Sequence, residues 1–520
     1  TNSNISCAKE EITLVDTVSF KGLVPNQKYE VTGTLMDKET KKPVEADGKP
    51  VTAKASFKPK ESAGTVDVTF TFDASSLKGK TVVVFESLAY KDKEVAVHTD
   101  IADEGQTIYF PEIETTASDS ASGTHYAKPE KELTVYTLYD QATINQAATL
   151  FQKKHPDTMV SVHVACADTD DKEAETQRNR LMTSLAAGDG EDVIVLSGLD
   201  DNALAKKGVL MDLSDIVTPM EENGELLQAI VDGEKAADGK QQILPVRFAL
   251  PLLLSKEKRA SEMTDLAALA KAAEQTDGSL LGTFTGEDLV ETFAPYFMPD
   301  IIKDKQLDTE KLRTVLQELQ TIAAHCDMVE KYKKGERASN EWDLPSAMQA
   351  VLCQISGFND AMFDLAIINL VKGDYTSFEN AYIPTVEIGV NANTKQADLA
   401  KEFAAFVMSR EVQDGDFYDG FPVNKESLHM QVSLDRSDYA AYTTIEGADG
   451  QEIGLDIEPI KAADADKLEA LCDSLSKKTV KDAKVLEELK KSVPDYLLGR
   501  QSLDDTISKI QDGVKIYLAE

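Results

Sequence analysis

The 520-residue chain predicts a multidomain protein, an all-β sandwich followed by a larger α/β part. Three observations carry that prediction. Residues 8–116 fall into short segments that alternate apolar and polar side chains. A small polar stretch, ASDSASGTHYAKPE, follows at 117–130, and from 131 strand-like runs alternate with helical ones. Alternation with period two is the pattern of a half-buried strand, whereas strands alternating with helices build βαβ units around a mostly parallel sheet.

The first segments, in order, are EITLVDTVSF, KYEVTGTLMD, VTAKASFK, GTVDVTFTFD, KTVVVFESLAY, EVAVHTDI and QTIYFPEI, with turn signals VPNQ and EADGKP between them. Strands of this length and spacing predict a small sandwich over 8–116. The stretch 117–130 reads as a linker. Beyond it, KELTVYTLYD is a strand, INQAATLFQKKH a helix and TMVSVHVAC a strand. AETQRNRLMTSLAAG is a helix closed by Gly188, and EDVIVLSG is the next strand. Helices are predicted in MTDLAALAKAAEQT, TEKLRTVLQELQTIAAHCDMVEKYKK, PSAMQAVLCQIS and KQADLAKEFAAFVMSREVQ. AYIPTVEIGV is a strand, and KDAKVLEELKKSV and SLDDTISKIQDGVKIYLAE are closing helices. The domain reading is therefore 8–116, a linker at 117–130, and 131–520.

Composition excludes several classes. A net charge of −36 repels nucleic acid and anionic headgroups, and no Lys/Arg stripe offsets it. No run of 18 apolar residues is present to span a bilayer. The start, TNSNISCAKEE, has neither a basic nor an apolar leader region, so a signal peptide is expected to be removed or to lie upstream. The five cysteines (7, 166, 326, 353 and 472) form no CxxC pair or Cys/His cluster, so no metal and no cofactor is expected. Cys7 sits in a poor lipid-attachment context, and a Cys326–Cys353 bridge is left open. His125, His155, His163, His325 and His429 are scattered without evident partners and read as structural or surface residues.

One constellation in the first domain carries chemistry. Thr17 lies in ITLVDTVSF, Glu86 in VVFES, and His98, Asp103 and Gln106 in HTDIADEGQT. A hydroxyl needs a base before it attacks. A primary amide needs its carbonyl polarised, which two crowded carboxyls sharing a proton can do. DTVSFKGLVPNQKYEVTGTLMDKET, SAGTVDVTFTFD, VVVFESL and HTDIADEGQTIYFPEI resemble the intramolecular ester-bond domains, or VaFE-repeat domains, of Gram-positive surface adhesins, over about residues 10–116. The resemblance implies an Ig-like, ester cross-linked sandwich with Thr17 as nucleophile, Gln106 as acceptor, His98 as base, and Glu86 with Asp103 as the proton-sharing pair. It implies a single autocatalytic turnover and no further enzyme activity. A Thr17–Gln106 link would close a loop of about 90 residues, removing on the order of 4–5 kcal/mol of unfolded-chain entropy by analogy with a disulfide.

The larger part contains no GxGxxG after a strand, GxxxxGK[ST], HExxH or GxSxG. LTVYTLYDQATINQAATLFQKKHPDTMVSVHV, RLMTSLAAGDGEDVIVLSG, ALAKKGVLMDLSDI, ILPVRFALPLLLSKE and AAFVMSREVQ before GFPVNKESL resemble, in that order, the extracellular solute-binding proteins of ABC importers. The resemblance implies a two-lobed, periplasmic-binding-protein-like α/β fold whose lobes close on ligand. The first lobe is expected at about 131–245 with a returning segment. Ligands of open α/β sheets sit beyond the carboxyl ends of strands, which points to Tyr139, Asp140, Asp200 and Phe248. Sugars favour aromatic platforms, which adds Trp342, the only tryptophan, and Tyr382.

The sequence thus predicts a monomeric, cell-surface, Gram-positive receptor: an ester-locked stalk carrying a solute-binding domain, with a sugar or oligosaccharide ligand and an ABC permease as partner. The last residues, KIQDGVKIYLAE, carry no sorting signal, so an anchor is expected on the N-terminal side. Rival readings are an adhesin for immobilised glycans, a glycosidase, and an artificial fusion of two modules.

Overall fold

The computed structural model describes residues 12–519, apart from 47, 61, 63, 92, 100, 102–105, 111–130, 167–170, 237, 304, 346, 347, 416, 433, 435–440 and 447–451. Cys7, Asp103, His125 and the linker lie outside the described residues. The chain divides into two compact units, residues 1–194 with 394–406, and residues 195–393 with 407–520.

The first unit begins with the expected strands: β1 (Ile12–Phe20), β2 (Tyr29–Asp37), β3 (Thr52–Phe57), β4 (Gly64–Phe72), β5 (Thr81–Tyr90), β6 (Lys93–His98) and β7 (Thr107–Tyr109). β1 and β4 form one antiparallel pair, with Ile12 opposite Phe72 and Thr17 opposite Asp67. In the other sheet β2 lies between β3 and β5, while β6 and β7 both pair with β5. Alternate residues of each sheet, among them Leu14, Val31, Leu35, Val68, Phe70 and Val84, fill the space between them. Gly33 permits that approach, because a Cβ there would lie 2.5 Å from the Phe70 ring.

The same unit continues with β8 (Lys131–Thr137), α1 (Ala142–Lys154), β9 (Thr158–Val164), α2 (Asp171–Ala186) and β10 (Val193–Val195). β8 pairs in parallel with both β9 and β10, as the βαβ reading requires. The segment 394–406 returns to this unit, where Phe403 meets Phe151 of α1 edge-on at 5.3 Å and Thr394 donates a hydrogen bond to Asp192.

The second unit contains α3 (Asp201–Lys206), α4 (Gln228–Gly233), β11 (Leu244–Ser255), α5 (Leu266–Glu274), α6 (Gly286–Ile301), α7 (Thr309–Ala324), β12 (Ala350–Ile355), α8 (Phe358–Val371), β13 (Asp374–Ser377), β14 (Ala381–Val390), β15 (Lys477–Lys478), α9 (Ala483–Leu497) and α10 (Leu503–Ala519). All twelve residues of β11 are buried, the signature of a strand covered on both faces. It pairs antiparallel with β14 along its first half and with β12 and β13 along its second. Helices α6, α7, α9 and α10 share a core that includes Phe293, Leu316, Leu489 and Ile510. Asp265, Thr285, Asp308 and Asp482 each cap a helix by accepting a backbone N–H.

Three expectations change. PSAMQAVLCQIS is not helical over its second half: Ala350–Ile355 is a strand, held by pairing with β11 and short enough to fit before Gly357. The long helix after Thr309 stops at Ala324, and Asp327–Val329 pairs as a strand with Thr283–Thr285. Residues 195–245 belong to the second unit, because Leu196 N–H donates to the Glu387 carbonyl (2.7 Å) and Ser197 Oγ to the Thr385 carbonyl (2.6 Å).

Candidate functional site

The sandwich site follows from strand alternation. Neighbouring residues on β1 face opposite ways, so with Leu14 inside, Asp16 turns inward and Thr17 outward. The Thr17 hydroxyl donates to Asp67 Oδ1 at 2.8 Å on the exposed face. The inner face holds a different grouping. Glu86, 5 % exposed, pairs across β5–β6 with His98, and its Oε2 lies 3.1 Å from His98 Nδ1. The Asp16 carboxyl completes the cluster. Burial raises its pKa, while a hydrogen bond with Glu86 and the nearby His98 pull it down. Two carboxyls placed this way favour a shared proton. Beside them a groove of about 660 Å³ runs between β1 and β6, lined by Val18, Phe20, Tyr29, Leu88 and Val97. Gln106 precedes β7, and its carbonyl accepts the Val84 N–H at 3.0 Å.

The Thr17 hydroxyl lies on the face away from Glu86 and His98. The same geometry supplies a carboxyl partner for Glu86, namely Asp16, which the sequence reading passed over. The signal was present in ITLVDTVSF, where the alternation that buries Ile12 and Leu14 selects Asp16 next.

In the larger part, Tyr139 and Asp140 follow β8 in the first unit. Tyr139 is half-buried and its carbonyl accepts from the Thr137 hydroxyl at 2.5 Å. Asp140 is exposed and accepts from Asn145 Nδ2 at 2.8 Å, which steadies the start of α1. In the second unit, Asp200 is exposed just before α3. Phe248 and Tyr382 are corrected by burial, for both are fully enclosed. Phe248 packs on Phe421 with ring centroids 5.8 Å apart, and the Tyr382 hydroxyl donates to the Ile230 carbonyl at 3.2 Å. Both are core residues with no face for a solute.

Trp342 presents itself differently. It is 38 % exposed, its backbone N–H is held by Asn340 Oδ1 at 3.1 Å, and its ring leans on Phe363 of α8 at 4.6 Å. Nearby on α8, Asp364 is buried and lies 3.7 Å from the Cys353 thiol. Burial, reinforced by the Glu341 charge, pushes Asp364 up to about 8, so it is neutral at ordinary pH. Phe363 and Asp364 were not singled out from sequence, because the largely apolar α8, FNDAMFDLAIINLV, carries no local pattern that sets them apart.

Other assignments sharpen. Three histidines do have carboxylate partners: His155 with Glu402, His163 with Glu191 and His429 with Glu469. Cys326 and Cys353 carry free thiols. Asp201, Glu234 and Glu387 bring three carboxylates together, and the Lys478 ammonium fills their centre. Among the described residues, no helix is long and apolar enough to cross a membrane.

The parallel βαβ units of the first unit and the buried central strand of the second are those of an α/β fold. Residues 137–414 match the bacterial extracellular solute-binding protein family, and the chain belongs to it. Residues 1–110 match the T-Q ester bond containing domain. Among solved structures, the sugar-binding protein MalE from Xanthomonas citri is similar at 14% identity, covering 75% of this chain and 97% of its own, with a TM-score of 0.52. A structure described as an extracellular solute-binding protein of family 1 is similar at 13% identity, covering 74% and 99%, also with a TM-score of 0.52. Likeness at this identity shows the fold. None of the curated proteins matches the chain in sequence.

Proposed function

We propose that the chain is a carbohydrate receptor of an ABC importer, held at a Gram-positive cell surface on its N-terminal sandwich. The observation that supports this best is Trp342, an aromatic face left open in a solute-binding fold and backed by Phe363. Sugar rings present flat C–H faces to such platforms, and carboxylates and amides at the rim orient their hydroxyls. Asp200, exposed in the same unit as Trp342, is the polar group assigned to that role. Titration of the full chain with a panel of neutral oligosaccharides tests the reading. One saturable 1:1 ligand supports it, and binding only to immobilised glycan points to an adhesin instead.

For the sandwich we infer ester formation at the Gln106 side chain, with Asp16, Glu86 and His98 as the acid–base group. The Asp16/Glu86 proton polarises the Gln106 amide carbonyl, the His98 ring takes the Thr17 hydroxyl proton, Thr17 Oγ1 bonds to the amide carbon as its C–N bond breaks, and the nitrogen takes the proton and leaves as ammonia. In the strand register seen here Thr17 is not the hydroxyl presented to that group. It becomes so only if β1 slips by one residue, which exchanges its two faces. An ester to Gln106 lowers the intact mass by about 17 Da. The inference fails if the full sequence mass is found.

A further inference from the structure

The second unit bears another exposed aromatic face besides Trp342. The strands Ala441–Glu446 and Glu452–Ile457 pair antiparallel, with Tyr442 opposite Asp456, Thr443 opposite Leu455 and Thr444 opposite Gly454. Ile445 and Leu455 are buried, and the second strand packs along α8. Alternation therefore turns Tyr442, Thr444, Gly454 and Asp456 to the opposite, outer face of the pair. Tyr442 is 68 % exposed there, against 38 % for Trp342.

Gly454 seats the Tyr442 ring. A Cβ at position 454 would lie 2.5 Å from the Tyr442 hydroxyl oxygen and 3.2 Å from its ring. The ring thus lies diagonally across the neighbouring strand, in the space that a side chain at 454 would take, and its far face is open to solvent. Polar groups flank it. Residues directly opposite in an antiparallel pair have Cβ atoms about 5 Å apart on one face, so Asp456, itself exposed, stands beside the ring. Asp456 also lines a cavity of about 330 Å³ against α8, with Leu365, Asn369, Lys461 and Asp464. An open ring face next to a pocket edged by an amide, carboxylates and an ammonium suits a sugar, whose C–H face stacks while its hydroxyls reach the rim.

The strand pair adjoins Trp342. Its first strand packs against the turn Glu341–Asp343, and α8 carries Phe363, on which the Trp342 ring leans. Two aromatic faces therefore stand on neighbouring elements over one supporting helix.

We propose that Tyr442, seated on Gly454 and flanked by Asp456, is a second carbohydrate platform, and that the ligand is an oligosaccharide whose chain runs from Trp342 to Tyr442. The inference rests on the carbohydrate-receptor reading and adds the size of the ligand to it. Trp342 takes part at every chain length, whereas Tyr442 is reached only by chains long enough to cross from the turn to the strand pair.

The test is calorimetric titration of the full chain with malto-, cello- and xylo-oligosaccharides, each from disaccharide to hexasaccharide. In the series that binds, wild-type affinity is expected to rise about tenfold from the shortest chain to the longest. Tyr442→Ala should lose that rise and still bind the shortest chain as the wild type does, with an unchanged melting temperature because the side chain is so exposed. Tyr442→Phe should keep the rise, and Gly454→Ala, which displaces the ring without removing it, should lower affinity for the long chains. A Tyr442→Ala protein that matches the wild type at every length, or that loses short and long chains alike, overturns the proposal while the receptor reading stands. Absence of binding by all three series overturns it together with that reading.

Discussion

Replacing Trp342 with alanine removes the platform on which the receptor reading depends. The residue is 38 % exposed. Applied to an aromatic side chain of about 250 Å², that leaves about 95 Å² for a sugar face to cover. At about 25 cal/mol per Å², covering it contributes about 2.4 kcal/mol, or about 50-fold in Kd. The fold should lose little, because the main ring contact is the one with Phe363 at 4.6 Å. Such a pair contributes about 0.5–1.5 kcal/mol beyond area burial. The assay is calorimetric titration of wild type and Trp342→Ala with the neutral oligosaccharide that most raises the wild-type melting temperature. A weakening of tenfold or more, with the unliganded melting temperature nearly unchanged, is the expected result. An affinity within about threefold of wild type refutes the argument, since the exposed ring would then cover nothing.

Three further outcomes follow from named contacts. Lys478→Met strands the carboxylates of Asp201, Glu234 and Glu387 around an apolar side chain. Breaking a buried ionic group this way costs about 3–5 kcal/mol, measurable in urea unfolding, and the added substitutions Glu234→Gln and Glu387→Gln should recover much of it. Asp364 has a folded pKa raised from 3.8 to about 8, so its native state holds a proton that the unfolded chain releases. Stability is therefore lost as pH rises across that interval, and Asp364→Asn should flatten the curve; identical pH profiles would contradict the burial argument. In the sandwich, Thr17→Ala, Glu86→Gln and Gln106→Ala should each restore the full intact mass. A deficit that persists in Thr17→Ala would show that another hydroxyl is the nucleophile.

What the sequence disclosed, it disclosed through periodicity. ITLVDTVSF and GTVDVTFTF alternate so regularly that their pairing and inner faces can be read directly, and KELTVYT, VIV and their intervening helices mark parallel units. Periodicity failed where burial is complete. AVLCQI, apolar but for Gln354, fits a helix or a strand until β11 is seen beside it. Phe248 and Tyr382 were chosen as aromatics near strand ends, but a strand buried on both faces encloses its aromatics whichever way they point. Trp342 escaped that fate because it lies on a short turn capped by Asn340, outside any sheet. Lys478 was invisible for a different reason. Its partners lie 91, 244 and 277 positions away, and no local pattern announces a charge that is neutralised so far along the chain.

The central claim, capture of a free carbohydrate, is tested most directly by calorimetric titration of the intact chain with a panel of soluble neutral oligosaccharides. The account predicts that one of them binds saturably at 1:1 with a Kd of about 10 μM or tighter, and that Trp342→Ala weakens it. Absence of heat across the whole panel, in protein whose melting curve shows it to be folded, would contradict it.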